Sequence, residues 1–478
     1  MATLKQKAYK GLFWTALDIL SNQGLQFIIG IVLARILTPE EFGLIGMVTV
    51  FITISAVFVD SGFGIALINK KNTSIDEESA VFWLNLIMSF LLFGLLYLIA
   101  PVIARFYEEP VLTDITRVLG LVLIVQAFGT IHLNLLSKEL DFKTQFKLTL
   151  TSKIVSGGLG IWAALAGYGV WSLVLQRIVQ MTWQSIGLWL FHSWRPKFKF
   201  NLTELKPLWK YGSNVLLSRL TKTFFDNIYT LAIGKTFSAN ELGYYRRARG
   251  FQNLPLSFLS STIGKISFPL YSKVKDDKEK YIKTMRKSLV LMSFISFPVL
   301  ALLGIIAEPL IVFLIKEKWL PAVPYLQWLC VSGMLFPWHL MNVQSLLGYG
   351  RSDLNLKITF IKNSLRLINL LIMMNFSVLH IVIGEVIFSF IGLIINTYYN
   401  NKIFNYGLLK QFLDLKWIIL VTLIAAGMSF LPLLADLSPA ISLLLQITIF
   451  IVIYYVLSNV TDKKLVTEIK DNVRGIIQ

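Results

Sequence analysis

Apolar positions along this chain come in long unbroken runs. They show neither the period-2 alternation of half-buried strands nor the narrow stripe of a surface helix. A helix needs about 20 residues to cross a hydrocarbon core about 30 Å thick. Runs of that kind lie at 11–36, 43–68, 80–104, 115–136, 148–167, 169–191, 209–234, 249–272, 288–314, 322–347, 355–376, 378–400, 416–434 and 439–459. The pattern predicts an all-α integral membrane protein with about fourteen transmembrane helices. The runs 209–234 and 249–272 are the most polar of the set. The first run follows Lys5, Lys7 and Lys10, as the core of a signal peptide would. It is too long for that role, contains Asp18 and lacks a small-residue cleavage site, so it is read as a retained span.

A duplication lies within the pattern. Residues 9–68 align with 209–268 at a constant offset of 200. Lys10 matches Lys210, Ile28 matches Ile228, and Glu41-Phe42-Gly43 matches Glu241-Leu242-Gly243. Arg35 and Thr38 are replaced conservatively by Lys235 and Ser238. The copies begin at the first and seventh spans, so both enter the membrane from the same side. A parallel repeat about an axis along the membrane normal follows. The expected organisation is an N-lobe over 1–200, a pseudo-symmetric six-helix C-lobe over 201–410, and an appended pair of helices with a tail over 411–478.

Composition agrees with the membrane assignment. The hydrophobic fraction is 55%, the mean hydropathy +0.66, and charged residues make up only 15%. A soluble domain carries roughly 25% charge and must wet its surface. The net charge of +18 is distributed by side. Loops taken alternately from the N-terminus hold Lys70, Lys71, Lys138, Lys143, Lys147, Arg195, Lys197, Lys199, Lys206 and the run from Lys273 to Lys287. The other loops hold little beyond Arg35, Arg105, Lys235, Lys316 and Lys318. The positive-inside rule places both termini in the cytoplasm. Most of the charge is therefore topology and attraction to anionic headgroups, and nucleic acid is not an expected partner. The outer loops reach roughly a dozen residues at most, too few for an independently folding domain.

Cys330 stands alone, and His132, His192, His339 and His380 are scattered without ligand spacing, so no metal site or cofactor is expected. The informative residues are the ionisable and amide groups inside spans. Each charge at a helix centre costs roughly 2.5–3.5 kcal/mol and usually faces a cavity or a partner. Asp18, Asn22 and Gln26 share one face of the first span, and the repeat maps them to Ser218, Lys222 and Asp226. Arg219 lies beside that stripe, and Arg249 opens the eighth span. Lys362 and Arg366 share a face of the eleventh span one turn apart. These residues, Ser218 apart, are the nine candidate substrate-binding groups of a polar cavity. Asp60 and Glu385 are the candidates for a coupling proton or sodium ion. Lys153, Gln176, Arg177, Gln180 and Lys265 are further polar groups within spans. The cations outnumber the anions, which suits a phosphate or pyrophosphate substrate. The competing reading is structural. Lys222 and Asp226 would neutralise each other at i, i+4, Glu385 would pair with Lys362 or Arg366, and Lys153 and Arg177 would snorkel. Gly157, Gly158 and Gly160 suit close helix approach, and Pro255, Pro298 and Pro337 suit kinks.

Several short motifs then carry a resemblance. They are Leu37-Thr38-Pro39-Glu40-Glu41-Phe42-Gly43, Asp60-Ser61-Gly62-Phe63-Gly64, Leu242-Gly243-Tyr244-Tyr245-Arg246-Arg247-Ala248, Leu254-Pro255, Phe268-Pro269-Leu270 and Leu346-Leu347-Gly348-Tyr349-Gly350-Arg351-Ser352-Asp353. In order and spacing the chain resembles the polysaccharide-exporter branch of the multidrug/oligosaccharidyl-lipid/polysaccharide (MOP) superfamily, which includes O-unit and colanic-acid-type flippases. The resemblance implies two six-helix lobes, a cationic central cavity and alternating access. It also implies a bacterial inner-membrane location and a glycan substrate on an undecaprenyl pyrophosphate carrier, with membrane lipids and polysaccharide polymerase or assembly proteins as partners. A cation-coupled multidrug exporter of the same superfamily would need an acidic cavity, against which the excess of Lys and Arg argues. A glycan polymerase or ligase would need a catalytic outer domain for which the loops leave no room. The chain has no phosphate-binding loop for an ATP-driven pump.

Overall fold

The computed structural model of the protein describes residues 4–198, 202–434, 438–461 and 467. Side chains of residues 4–13, 15, 16, 18–20, 258–270, 433 and 434 lie outside that description. Among the described residues every regular element is a helix. The chain divides into two compact units, Met1–Gly243 and Tyr244–Gln478.

The first unit holds α1 (Leu4–Ile36), α2 (Pro39–Asp60), α3 (Phe63–Asn69), α4 (Ile75–Tyr107), α5 (Leu112–Lys138), α6 (Phe142–Leu165), α7 (Val170–Phe191) and α8 (Lys206–Thr236). It also holds the start of α9 (Ala239–Lys273), which runs on into the second unit. There follow α10 (Lys278–Ile305), α11 (Ala307–Ile315), α12 (Ala322–Met334), α13 (Phe336–Gly348), α14 (Ser352–Met373), α15 (Val378–Phe404), α16 (Leu408–Met428) and α17 (Pro439–Thr461). Among the described residues seven helices are long and apolar enough to cross a membrane: α2, α4, α5, α6, α10, α15 and α17. With their large apolar side chains exposed along the helix faces, as at Leu91, Leu98 and Ile394, they make the chain a multi-pass membrane protein of all-α fold.

Each apolar stretch of the sequence falls largely on helix, but three are broken in two. The stretch 43–68 divides where Ser61 and Gly62 both adopt left-handed backbone (φ 49° and 72°) between α2 and α3. The stretch 288–314 divides at Ile306, just ahead of Pro309, and 322–347 divides at Leu335, ahead of Pro337. A proline removes an amide donor and is accommodated most readily in the first turn of a helix. By contrast, α9 and α10 run through Pro255 and Pro298. Gly157 lets α6 approach Ile29 of α1, where a Cβ would come within 2.8 Å of Cγ1, and Gly160 approaches Gln176 of α7. Gly158 meets nothing within 4 Å, so only two of the three glycines serve contact.

The repeat is visible in atomic detail within the first unit. Thr38 caps α2 by accepting from Glu41 N at 3.4 Å, and Ser238 caps α9 by accepting from Glu241 N at 3.3 Å. These are the conservatively matched pair of the two copies. Gly43 lies against the backbone of Ala239, and Gly243 lies against the backbone of Pro39. Pro39 and Ala239 are themselves equivalent at the offset of 200. The two Glu-x-Gly turns therefore pack reciprocally, each glycine on the other copy's first helical residue, as a two-fold relation requires.

In the second unit, α10 packs against α12, α13 and α16, α14 against α15, and α16 against α17. Its buried core joins Tyr281, Phe297, Trp338, Phe404 and Leu415. A polar knot crosses this core. Gln411 donates to Asn342 Oδ1 and Tyr406 O, both at 2.9 Å, and accepts from Asn342 Nδ2 and the Trp338 indole. Asn400 donates to Asn342 O at 3.0 Å, and its Oδ1 accepts from Ser345 Oγ at 2.7 Å. Gln411→Leu strands the Asn342 amide and the Trp338 N–H in apolar surroundings at about 1–3 kcal/mol per group. It is expected to lower the thermal unfolding temperature in detergent, while Lys410→Leu, an exposed neighbour, leaves it within error.

Candidate functional site

The structure brings the predicted site residues together in small separate groups, two of them ion pairs. In the first, Asp60 ends α2 immediately before the left-handed Ser61-Gly62 turn. That turn is held by α8, because the Gly62 backbone lies against that of Gly212, and by Ser61 Oγ donating to Asn85 Oδ1 at 2.9 Å. The turn aims the Asp60 carboxylate at α8, where it forms an ion pair with Arg219. Asp60 is the more buried partner, 15% against 40% exposed. Lys222 and Asp226, one and two turns further along, are exposed. They make no ion pair with each other, contrary to the expectation from their spacing; among the described residues none is formed by either.

The first-span stripe is only partly described. The Asp18 side chain, like that of Lys265, lies outside the described residues. Asn22 is buried and Gln26 exposed. Lys153 Nζ on α6 donates to Asn22 O at 3.0 Å and to Gln26 Oε1 at 3.2 Å. The lysine expected to snorkel therefore crosses to α1 instead. Arg177 is exposed and donates to Gln180 on its own helix at 3.4 Å.

Helix α9 begins at Ala239 in the first unit, ahead of the expected start at 249, and carries Arg246, Arg247 and Arg249 within it in the second. The polar run hid this start. Arg247 stacks over Phe251 and Trp319, with its guanidinium 5.6 and 5.8 Å from the ring centres. Arg249 is a hub. It forms an ion pair with Glu385 of α15, donates to Tyr245 Oη at 2.6 Å and donates to Gln252 Oε1 at 3.1 Å. Gln252 in turn donates to Leu329 O of α12. Glu385 thus pairs with Arg249, and neither with Lys362 nor with Arg366 as spacing on adjacent helices suggested. Competition decides it: Arg249 offers Glu385 a forked donor set already oriented by Tyr245 and Gln252.

Lys362 and Arg366 lie half-buried on α14. The Arg366 guanidinium sits 5.4 Å from the Phe388 ring centre. The Lys362 stem rests beside Gly392 of α15 together with the His339 ring. His339 Nε2 pairs with Ser389 Oγ at 3.0 Å and Nδ1 with Asn396 Nδ2 at 2.9 Å. The histidines are also less scattered than their numbering suggests. His132 Nδ1 meets His192 Nδ1 at 3.0 Å inside a box that includes Trp189 and Trp194. Of these added partners, Tyr245, Phe251 and Gln252 left a sequence trace, each one helical turn from the arginine it meets.

Of the candidate cations, Arg219 and Arg249 are matched by carboxylates, whereas Lys362 and Arg366 of α14 form no ion pair among the described residues. Among the described residues no cluster of His, Cys, Asp and Glu could hold a metal ion. The model of the family described as "Polysaccharide biosynthesis protein" matches residues 32–324. The "Teichuronic acid biosynthesis protein TuaB" of Bacillus subtilis (strain 168) is 27% identical over 356 residues, 74% of each chain. An "Uncharacterized membrane protein in cps region" of Klebsiella pneumoniae is 30% identical over 341 residues, 70% of this chain and 69% of that one. The "Succinoglycan biosynthesis transport protein ExoT" of Rhizobium meliloti (strain 1021) is 25% identical over 325 residues, covering 68% and 66%. Among solved structures, the inward closed "Lipid II flippase MurJ" aligns with a TM-score of 0.77 at 14% identity, over 96% of this chain and all of that one. An inward-facing multidrug resistance MATE family transporter of the MOP superfamily aligns with a TM-score of 0.65 at 16% identity, over 82% and 98%. The fold is thus the one used by these transporters, and the chain belongs to the polysaccharide biosynthesis protein family of multi-pass membrane proteins.

Proposed function

We propose that this protein is a transporter and not an enzyme, and that it flips oligosaccharide repeat units linked to undecaprenyl diphosphate across the bacterial cytoplasmic membrane by alternating access. The observation that carries the proposal is uncompensated charge. Among the described residues, Lys222, Lys362 and Arg366 lie within stretches read as spans and have no carboxylate partner. Such groups are costly in a membrane and suit an anionic ligand that supplies the missing charge. The names of the relatives, which concern teichuronic acid and succinoglycan, support a glycan cargo. The fold shared with a lipid II flippase supports a lipid carrier.

On this reading the fourteen apolar stretches cross the membrane, with lobes over 1–200 and 201–410, an appended pair over 411–478, and both termini cytoplasmic. The sugars pass through a wet cavity while the prenyl tail stays in lipid. Asp60 and Glu385 are the coupling-ion candidates, and a polysaccharide polymerase receives the product. The test is transport of a fluorescent lipid-linked oligosaccharide in reconstituted vesicles. The double variant Arg219→Ala, Lys222→Ala is expected to lower transport about tenfold or more, since about 1.4 kcal/mol of lost interaction suffices for each factor of ten. Undiminished transport would remove both residues from the substrate path.

A further inference from the structure

The motif Asp60-Ser61-Gly62-Phe63-Gly64 sits where α2 gives way to α3, and each of its residues has a neighbour on another helix. Three of them face α8. Asp60 pairs with Arg219, the Gly62 backbone lies against Gly212, and the Phe63 ring packs on Gly212 with its centre 5.8 Å from that of Trp209. The other two face the helices behind. Ser61 is tied to Asn85 of α4, and Gly64 lies against Asn134 of α5. The motif is therefore a junction between α8 and the α4–α5 pair.

The Asp60 carboxylate uses only one of its oxygens there. Oδ2 accepts from Arg219, and among the described residues Oδ1 accepts from nothing. On the Oδ1 side stands an amide with the opposite deficit. Asn134 Nδ2 is buried and has no acceptor among the described residues. A Cβ at Gly64 would lie 3.0 Å from Asp60 Oδ1 and 2.9 Å from Asn134 Cγ, so both groups overhang the same bare Cα. Gly64 is in ordinary helix, so its backbone does not call for glycine; the crowding does. Buried donors are rarely left unmet, and an unmet donor beside an unmet carboxylate oxygen suits a bond made in another state.

We propose that Asn134 is the standby partner of Asp60: Arg219 holds the carboxylate while α8 is docked, and the Asn134 amide holds it when α8 draws away. The assignment rests on the transporter reading above. On that reading α8 belongs to the lobe over 201–410, and α2, α4 and α5 to the lobe over 1–200, so alternating access parts Arg219 from Asp60 in each cycle. A carboxylate left alone in apolar surroundings is costly, and that cost would stand as a barrier to the movement. An amide N–H is a weaker partner than a guanidinium, so it lowers the barrier without trapping the parted state. Gly64 supplies the room in which the amide turns to the carboxylate.

The test is a mutant cycle on the full chain, read as the midpoint of thermal unfolding in detergent. Asn134→Leu alone is expected to leave the midpoint unchanged, because the amide donates to nothing while Arg219 is present. Arg219→Gln still folds, with Asn134 serving the carboxylate. Combining the two lowers the midpoint by about 2 °C or more beyond the sum of the single effects. In an Asp60→Asn background that extra loss disappears, which a merely structural asparagine would not show. Gly64→Ala, which presses on the same amide, acts like Asn134→Leu in the cycle. Additive losses overturn the proposal. So does an extra loss that persists with Asp60→Asn, or an Arg219→Gln chain that fails to fold. Vesicle transport separates the exchange from the reading it rests on. Asn134→Leu is expected to slow transport of the lipid-linked oligosaccharide about tenfold, since Asp60 is stranded each time α8 leaves. Undiminished transport by that variant overturns the exchange even where the coupling is found. Absence of transport by the unaltered chain removes the flippase reading and leaves the Asp60–Asn134 coupling to be decided by the cycle.

Discussion

Gly43→Ala and Gly243→Ala are each expected to collapse the yield of monodisperse protein, while Gly158→Ala leaves it unchanged or raises it. The physical difference is what a methyl group would meet. At Gly43 it would fall inside the van der Waals radius of the Ala239 carbonyl, and at Gly243 inside that of the Pro39 carbonyl. Both obstacles are backbone at a capped helix start, pinned by Thr38–Glu41 and Ser238–Glu241, so neither can rotate aside as a side chain could. Overpacking of a yielding core costs about 1–3 kcal/mol, and a rigid contact lies at or above that range. Because the two contacts are reciprocal, the double variant is expected to cost less than the sum of the singles, the helices having already parted. Gly158 meets nothing within 4 Å, and there the helix propensity of alanine, about 1 kcal/mol better than glycine, is the only term. Fluorescence-detected size-exclusion chromatography after a heat step reads all four proteins. Equal thermal survival of Gly43→Ala and Gly158→Ala would show that the seam yields.

That seam also marks what the sequence could and could not reveal. The aligned Glu41-Phe42-Gly43 and Glu241-Leu242-Gly243 were visible as repeated letters, and the helix caps follow from Thr38 and Ser238 three residues before a glutamate. That each glycine rests on the other copy's cap is a tertiary fact, and no local pattern encodes it. Hydropathy located the helical stretches because lipid rewards long apolar runs whatever their partners. It missed the break at Ser61-Gly62, where two polar-tolerant residues turn left-handed within an apolar context. It also placed the start of α9 too late, since Arg246, Arg247 and Arg249 read as loop until their partners Trp319, Tyr245 and Glu385 are known. The candidate charges were legible as a set, because any ion within a span is conspicuous. Which of them are neutralised was not legible. Asp60 finds Arg219 at a separation of 159 residues and Glu385 finds Arg249 at 136, and spacing within one helix says nothing about such pairs.

Glu385→Ala is expected to be more damaging than Arg249→Met, although the two changes delete opposite halves of one ion pair. Removing one partner of a fully buried pair costs about 3–5 kcal/mol, and of a half-buried pair such as this one less, because the survivor is left charged in a poor solvent. The survivors differ in what they can do about it. A carboxyl group that loses its cation has, in general, a neutral form available to it, which caps the cost. With Glu385 gone, the Arg249 guanidinium cannot shed its charge, because its intrinsic basicity is too high. It keeps Tyr245 Oη and Gln252 Oε1 as neutral acceptors, which offset only part of the loss. Glu385→Gln should fall between, since an amide oxygen still accepts from the guanidinium while supplying no charge. The combination Arg249→Met, Glu385→Met removes both ions and should recover most of the stability lost by Glu385→Ala, since well-packed apolar replacements of ion pairs are often neutral or better. Thermal unfolding of the four variants in one detergent gives the ordering directly. If Arg249→Met proves as unstable as Glu385→Ala, another cation is compensating the carboxylate, and Lys362 and Arg366 on the adjoining helix α14 are the ones to test. In that event their charge is not held in reserve for an anionic ligand, so the same measurement bears on the proposed function from the side of stability.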